Sequence, residues 1–153
     1  MTQFDFAKSS HFSTPEESPG FLLWRASTLW RRTIESVLKP LGLTHPQFVI
    51  LATVGWLTKN GEKASQIEIS KQAGLDPNTT SQILRSLETK KLIERVHAKD
   101  ERSKHPSLTS LGNKTLAKAL PAVEMADSQF FSSVNLYKMK AINVLQKLAN
   151  LEQ

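Results

Sequence analysis

Asn78, Thr79, Ser81, Gln82, Arg85 and Ser86 crowd hydrogen-bonding side chains into one short window, and Lys99, Asp100, Arg102 and Lys104 follow in a charged run. Amide side chains can pair bidentately with adenine edges, hydroxyls donate or accept, and guanidinium groups grip guanine or phosphate, so these are residue types for reading a DNA duplex. From Lys90 to Lys104, the cations Lys90, Lys91, Arg95, Lys99, Arg102 and Lys104 outnumber Glu94, Asp100 and Glu101, with His97 and His105 flanking. Such a tip suits phosphate or minor-groove contact. Taken alone, the same run also fits a solvated hairpin whose charges only keep it soluble. Catalysis finds no support: His11, His45, His97 and His105 form no close helical pair, and neither a glycine-rich phosphate loop nor a nucleophile–base set is readable. The expectation is a protein that is not an enzyme, with no metal and no cofactor.

The elements that must position these residues are well punctuated. Ser18 and Pro19 pair as N-cap and first helical residue, and Leu22, Ala26, Leu29, Val37 and Leu41 keep helical spacing up to Pro40 and Gly42. Thr44 and Gln47 form a capping box, with Leu43 and Phe48 as its hydrophobic staple, for a helix through Leu51 and Val54. Ser65 and Glu68 repeat that logic for a short helix closed by Gly74. Asp76 and Pro77 start the next, whose Thr80, Ile83, Leu84 and Leu87 share one face. At about 100° per residue, Asn78, Gln82, Arg85, Ser86 and Thr89 fall on the opposite face, with Thr79 and Ser81 at its edges. Two helices joined through Gly74, Leu75 and Asp76, followed by an apolar run at Leu92, Ile93 and Val96 and a return to Leu108, predict a helix-turn-helix with a hairpin wing. Thr109 then caps a helix from Ser110 to about Asp127, kinked at Pro121, and another runs from about Ser128 to Leu151.

The chain has 153 residues, 39% of them hydrophobic, a formal charge of +6 and no cysteine. That is enough for one core, favours polyanionic partners and excludes disulfides and thiol chemistry. With no long uncharged apolar run and no basic start followed by an apolar stretch, a soluble, cytoplasmic protein without membrane partners is expected. Residues 1–18 carry Phe4, Phe6 and Phe12 on a polar background and read either as a disordered arm or as a strap that docks its rings.

Three segments, LWRASTLWRRTIESVLKPLGLTHPQFVIL, QIEISKQAGLDPNTTSQILRSLETKKLIER and DERSKHPSLTSLG, resemble the MarR family of winged-helix transcriptional regulators over about residues 20–125. Asp100 and Arg102 match that family's DxR wing, and Leu108, Thr109 and Gly112 its LTxxG. The resemblance implies a mainly α fold with a small β-hairpin wing: an arm at 1–18, an N-terminal dimerisation helix at 19–42, a winged helix-turn-helix domain at 43–109 and C-terminal dimerisation helices at 110–153. It implies a homodimer on a pseudo-palindromic duplex, Arg102 reaching into the minor groove with Asp100 orienting the wing, and repression by promoter occlusion. It also implies a small aromatic acid or phenolic effector, for which Trp24, Arg25 and Trp30 are candidate contacts, the alternative being that the tryptophans anchor a core or interface. A winged helix that binds protein instead of DNA is the rival function. Two residues depart from the pattern: Gln82 replaces a frequent arginine, and Pro106 lies in the return strand, where it is expected to remove one ladder bond and make the hairpin bulge or end early.

Overall fold

The computed structural model describes residues 3–96, 105–134 and 139–151. A short helix, α1 (Phe6–Ser9), is capped by Asp5, and a 3-10 turn at Pro15–Glu17 leads to α2 (Pro19–Leu38), whose cap Ser18 accepts the Phe21 N–H. Phe4, Phe6 and Phe12 stay exposed. A 3-10 turn and Gly42 end α2, and α3 (His45–Thr58) begins with the expected Thr44–Gln47 capping box. Because α3 is apolar almost all round, it buries Phe48, Ile50, Leu51 and Val54 and packs against α2 and the elements after it.

The helix-turn-helix consists of α4 (Gln66–Ala73) and α5 (Pro77–Thr89). Its turn needs Gly74, whose φ of 68° would strain a side chain. The Gly74 N–H bonds back to Lys71, and the Leu75 N–H to Ser70. Leu84 and Leu87 are fully buried, each worth about 1.5–3 kcal/mol of apolar burial, and hold α5 on α3.

The wing is β1 (Ile93–Val96) against β2 (His105–Leu108), antiparallel, with Ile93 opposite Leu108 and Arg95 opposite Pro106. Contrary to expectation, Pro106 causes no bulge in the described pairing, whose register runs unbroken from Ile93–Leu108 to Val96–His105. The Thr109 N–H donates to the Leu92 carbonyl at 3.1 Å, so that pair is hydrogen-bonded. By the alternation of antiparallel ladders, Glu94 and Ser107 form the next bonded pair, and Arg95 and Pro106 the non-bonded pair between them and the strand ends. Proline there removes no bond to β1.

The long α6 (Ser110–Phe130) carries Pro121 inside it and lies along α2. It passes the expected break at Ser128, because buried Ala126 and the Trp30–Asp127 bond keep its last turn against α2. Beyond a 3-10 turn at Ser132–Val134, α7 spans Met139–Leu148. One buried cluster joins Ile34 and Leu38 of α2, the α3 residues, Ile69, Leu84, Leu87, Leu92, Ile93, Ala119, Val123 and Ala126. It crosses both expected domain boundaries, at 42/43 and 109/110. Among the described residues, no helix is long and apolar enough to cross a membrane.

Candidate nucleic-acid interface

On α5, Asn78, Gln82, Arg85 and Thr89 are exposed, Thr79, Ser81 and Ser86 are half-buried, and Thr80 is buried. The N-terminal end is set by Asp76, which accepts the Thr79 N–H at 2.9 Å and the Thr79 hydroxyl. Those bonds lower the Asp76 pKa, with the Thr79 hydroxyl the largest cause. Gln66 Nε2 ties α4 to the Pro77 carbonyl at 3.3 Å. Thr79 and Ser86 are therefore partly committed already: Ser86 donates to the Ile83 carbonyl at 2.9 Å and accepts from Gln47 Nε2 at 3.0 Å. Asn78, Gln82 and Arg85 face outward. The one acid of α5, Glu88, turns to the wing, 3.6 Å from Arg95 Nε.

Lys99, Asp100, Arg102 and Lys104 lie outside the described residues; what holds the wing's base is visible. The Thr109 hydroxyl donates to the Lys91 carbonyl at 2.7 Å and accepts the Gly112 N–H at 2.9 Å. Gly112 lies so close to β1 that a Cβ there would sit 1.9 Å from the Leu92 carbonyl oxygen. The LTxxG pattern is thus a mechanical joint in which Thr109 caps α6 and Gly112 lets α6 touch the start of the wing. Arg95 Nε and Nη2 are buried without a hydrogen-bond partner.

Trp24, Arg25 and Trp30 are not brought together. Trp24 is 69% exposed, and Arg25 lies 6.0 Å from the Phe21 ring centroid. Trp30 is half-buried, its indole N–H donating to Asp127 Oδ1 at 2.7 Å and its ring edge-on to His45 at 5.0 Å. His45 is only 8% exposed. Its pKa is lowered, first by burial and then by Arg31, against the pull of Glu35 and Asp127. The three-helix junction of Trp30, His45 and Asp127 was not readable from sequence, since its members are far apart in the chain and each also fits a local role. Among the described residues, no group of three or more histidine and acidic side chains could hold a metal.

Residues 40–126 match the ArnR1-like winged-helix domain family. The HTH-type transcriptional regulator YdcH of Bacillus subtilis is 37% identical over 93% of this chain and 95% of its own length. The HTH-type transcriptional repressor Rv2887 of Mycobacterium tuberculosis is 27% identical over 86% of this chain and 93% of its own. Structures of Rv2887, a MarR family protein, have been solved with salicylic acid (28% identity, TM-score 0.62, covering 86% of this chain and 96% of that one) and with DNA (25%, 0.62, 86% and 97%). CouR of Rhodococcus jostii, bound to p-coumaroyl-CoA, shares the fold at TM-score 0.76 and 22% identity, covering 90% of this chain and 96% of that one. A recognition helix with a polar outer face, a wing jointed at Thr109 and Gly112, and a regulator alike over nearly the whole length lead to one conclusion: the chain belongs to the MarR-type winged-helix family of DNA-binding transcriptional regulators.

Proposed function

We propose that the protein is a cytoplasmic homodimer that represses transcription by occupying a pseudo-palindromic operator, and that a small aromatic acid loosens its hold. The observation that carries this reading is the outward row of Asn78, Gln82 and Arg85 on a helix whose other face is locked into the core. Two such helices, about one helical turn of DNA apart, would read successive major grooves, and Arg102, which lies between β1 and β2 in the sequence, would enter the minor groove. Pairing of two chains is supported by apolar surface that one chain leaves bare: Phe21, Leu22, Leu23, Trp24 and Leu29 on α2, and Ile142, Leu145 and Leu148 on α7. Repression and the aromatic effector are supported by Rv2887, a repressor whose structure holds salicylic acid. For such a ligand, Trp24 and Arg25 are the free candidates on α2, whereas Trp30 would have to share Asp127.

Selection of bound duplexes from a random library, followed by affinity measurement against salt, tests the reading. An inverted repeat with a steep salt slope is expected. Arg102→Ala should weaken binding, and Gln82→Ala and Asn78→Ala should relax base preference, by about 1–3 kcal/mol per good contact. Salicylate should weaken operator binding. If no sequence is enriched, and salt-sensitive binding is weak on every duplex, the operator reading fails and the winged helix serves a protein partner.

A further inference from the structure

The C-terminal end of α5 is fastened to the α2–α3 elbow by a polar clamp that no local motif announces. Lys90 Nζ donates to the Gly42 carbonyl at 2.6 Å and to Gln47 Oε1 at 2.8 Å. Gln47, only 9% exposed, extends the network: Oε1 also accepts the Thr44 N–H at 3.1 Å, and Nε2 donates to Ser86 at 3.0 Å. A single cation thus joins the end of the recognition helix to the turn where α2 hands over to α3, using carbonyl oxygens and no acid.

Apolar contacts at Leu84 and Leu87 fix how deeply α5 sits but are not directional, whereas hydrogen bonds fix its heading. The opposite end is already tied through Gln66 to Pro77. Over thirteen residues α5 is about 20 Å long, so a swing of about 5° about that tie carries the Thr89 end nearly 2 Å. Arg85, about 12 Å from the tie, moves about 1 Å, and doubled across a twofold axis this is about 2 Å, more than half the rise of one base pair, about 3.4 Å. We infer that Lys90 is a positioning residue which, through Gln47 and the Gly42 carbonyl, sets the half-site spacing that the dimer accepts. The inference rests on the dimeric operator reading above.

Lys90→Met keeps the aliphatic stem and removes the ammonium, Lys90→Gln removes the charge and shortens the reach, and Lys90→Arg restores a cation able to meet the same oxygens. Lys90 is exposed and outside the core, and a melting curve for each variant checks folding. Binding is measured to the selected inverted repeat and to duplexes with its half-sites moved by one and two base pairs in each direction, at several salt concentrations. The expected result is a preference for the best spacing that falls about tenfold in Lys90→Met and Lys90→Gln, returns in Lys90→Arg, and leaves the salt slope unchanged. Equal weakening at every spacing would reduce Lys90 to structural support and overturn the inference. A salt slope lower by about one with an unchanged spacing profile would make it a phosphate contact, and a profile matching the parent would make the clamp idle. If the parent itself shows no sequence-specific binding, the operator reading fails and this inference with it, whereas a spacing-selective parent matched by its variants sinks the inference alone.

Discussion

Gly112→Ala places one methyl group at the joint between α6 and the wing. The new Cβ would lie 1.9 Å from the Leu92 carbonyl oxygen and 2.9 Å from its carbon. Both are backbone atoms that cannot rotate aside, so the two segments must part by roughly 1 Å before even a tight contact is reached. The Leu92 carbonyl already accepts the Thr109 N–H and hydroxyl, and Leu92 and Ile93 are buried, so parting also strips bonds and opens the core. Overpacking of this kind costs about 3 kcal/mol, broken Thr109 bonds add about 1 kcal/mol, and the better helix propensity of alanine returns about 1 kcal/mol. The net loss is about 3 kcal/mol, a large part of the stability of any domain of this size.

Urea unfolding at fixed protein concentration measures this, because dimerisation makes stability depend on concentration. With a slope of about 2 kcal/mol per molar, the midpoint should fall by about 1.5 M. Gly20→Ala is the control: nothing lies within 4 Å of its added Cβ, and it should leave the midpoint unchanged or slightly higher. A Gly112→Ala midpoint within about 0.3 M of the parent would refute the account of the joint.

Three further outcomes follow from particular contacts. Lys91 ends α5 at φ 58°, with its N–H bonded to Glu88 and the Leu92 N–H to Leu87, a position that favours glycine; Lys91→Gly should therefore raise stability by about 0.5–1 kcal/mol in the same assay. Trp30→Phe deletes the donor to Asp127 and should cost about 1–2 kcal/mol, an effect that Asp127→Asn, which keeps an acceptor oxygen, should largely avoid. His45 has a folded pKa below its ordinary 6.5, so its neutral form belongs to the folded state: stability should be full above that pH and decline as acid protonates the unfolded chain. Melting temperatures measured downward from about pH 7.5 should show this slope, and His45→Gln should flatten it. Asp76 and Glu68, whose pKa values are also lowered, act only in stronger acid, below their ordinary carboxylate values.

Much of the fold was legible because its signals are local. A capping box spans four residues, and both Thr44–Gln47 and Ser65–Glu68 form as expected, as do the caps at Ser18, Asp76 and Thr109. The face of α5 was legible for the same reason, since buried Thr80, Leu84 and Leu87 recur at helical spacing and leave Asn78, Gln82 and Arg85 outside. The end of α6 was not, because Ser128 is a good cap in isolation, and what overrides it is Asp127 bonded to an indole far away in sequence. Leu22 and Leu29 have the spacing of core residues yet stay exposed in the single chain, since periodicity reports an apolar face and not what covers it.

The site shows the same division, with a further difficulty where two meanings of one residue compete. Arg85 and Gln82 could be placed outward by arithmetic alone, whereas Lys90 looked like one more charge of a basic run and instead bonds across the molecule to Gly42 and Gln47. Ser86 fell on the polar face but is half-buried against Gln47, so its hydroxyl serves the clamp before any base. Pro106 is the sharpest case. Proline breaks a ladder only if its missing N–H would have pointed at the partner strand, and that depends on which pairs of the hairpin are bonded. Residue type does not carry that parity. It is set at the base of the wing by the Thr109 N–H on the Leu92 carbonyl, and Pro106, three residues before Thr109, falls on the harmless side. Moving the proline one position, by Ser107→Pro with Pro106→Ser, would put it into a bonded pair. That exchange should break the ladder bond which Pro106 spares.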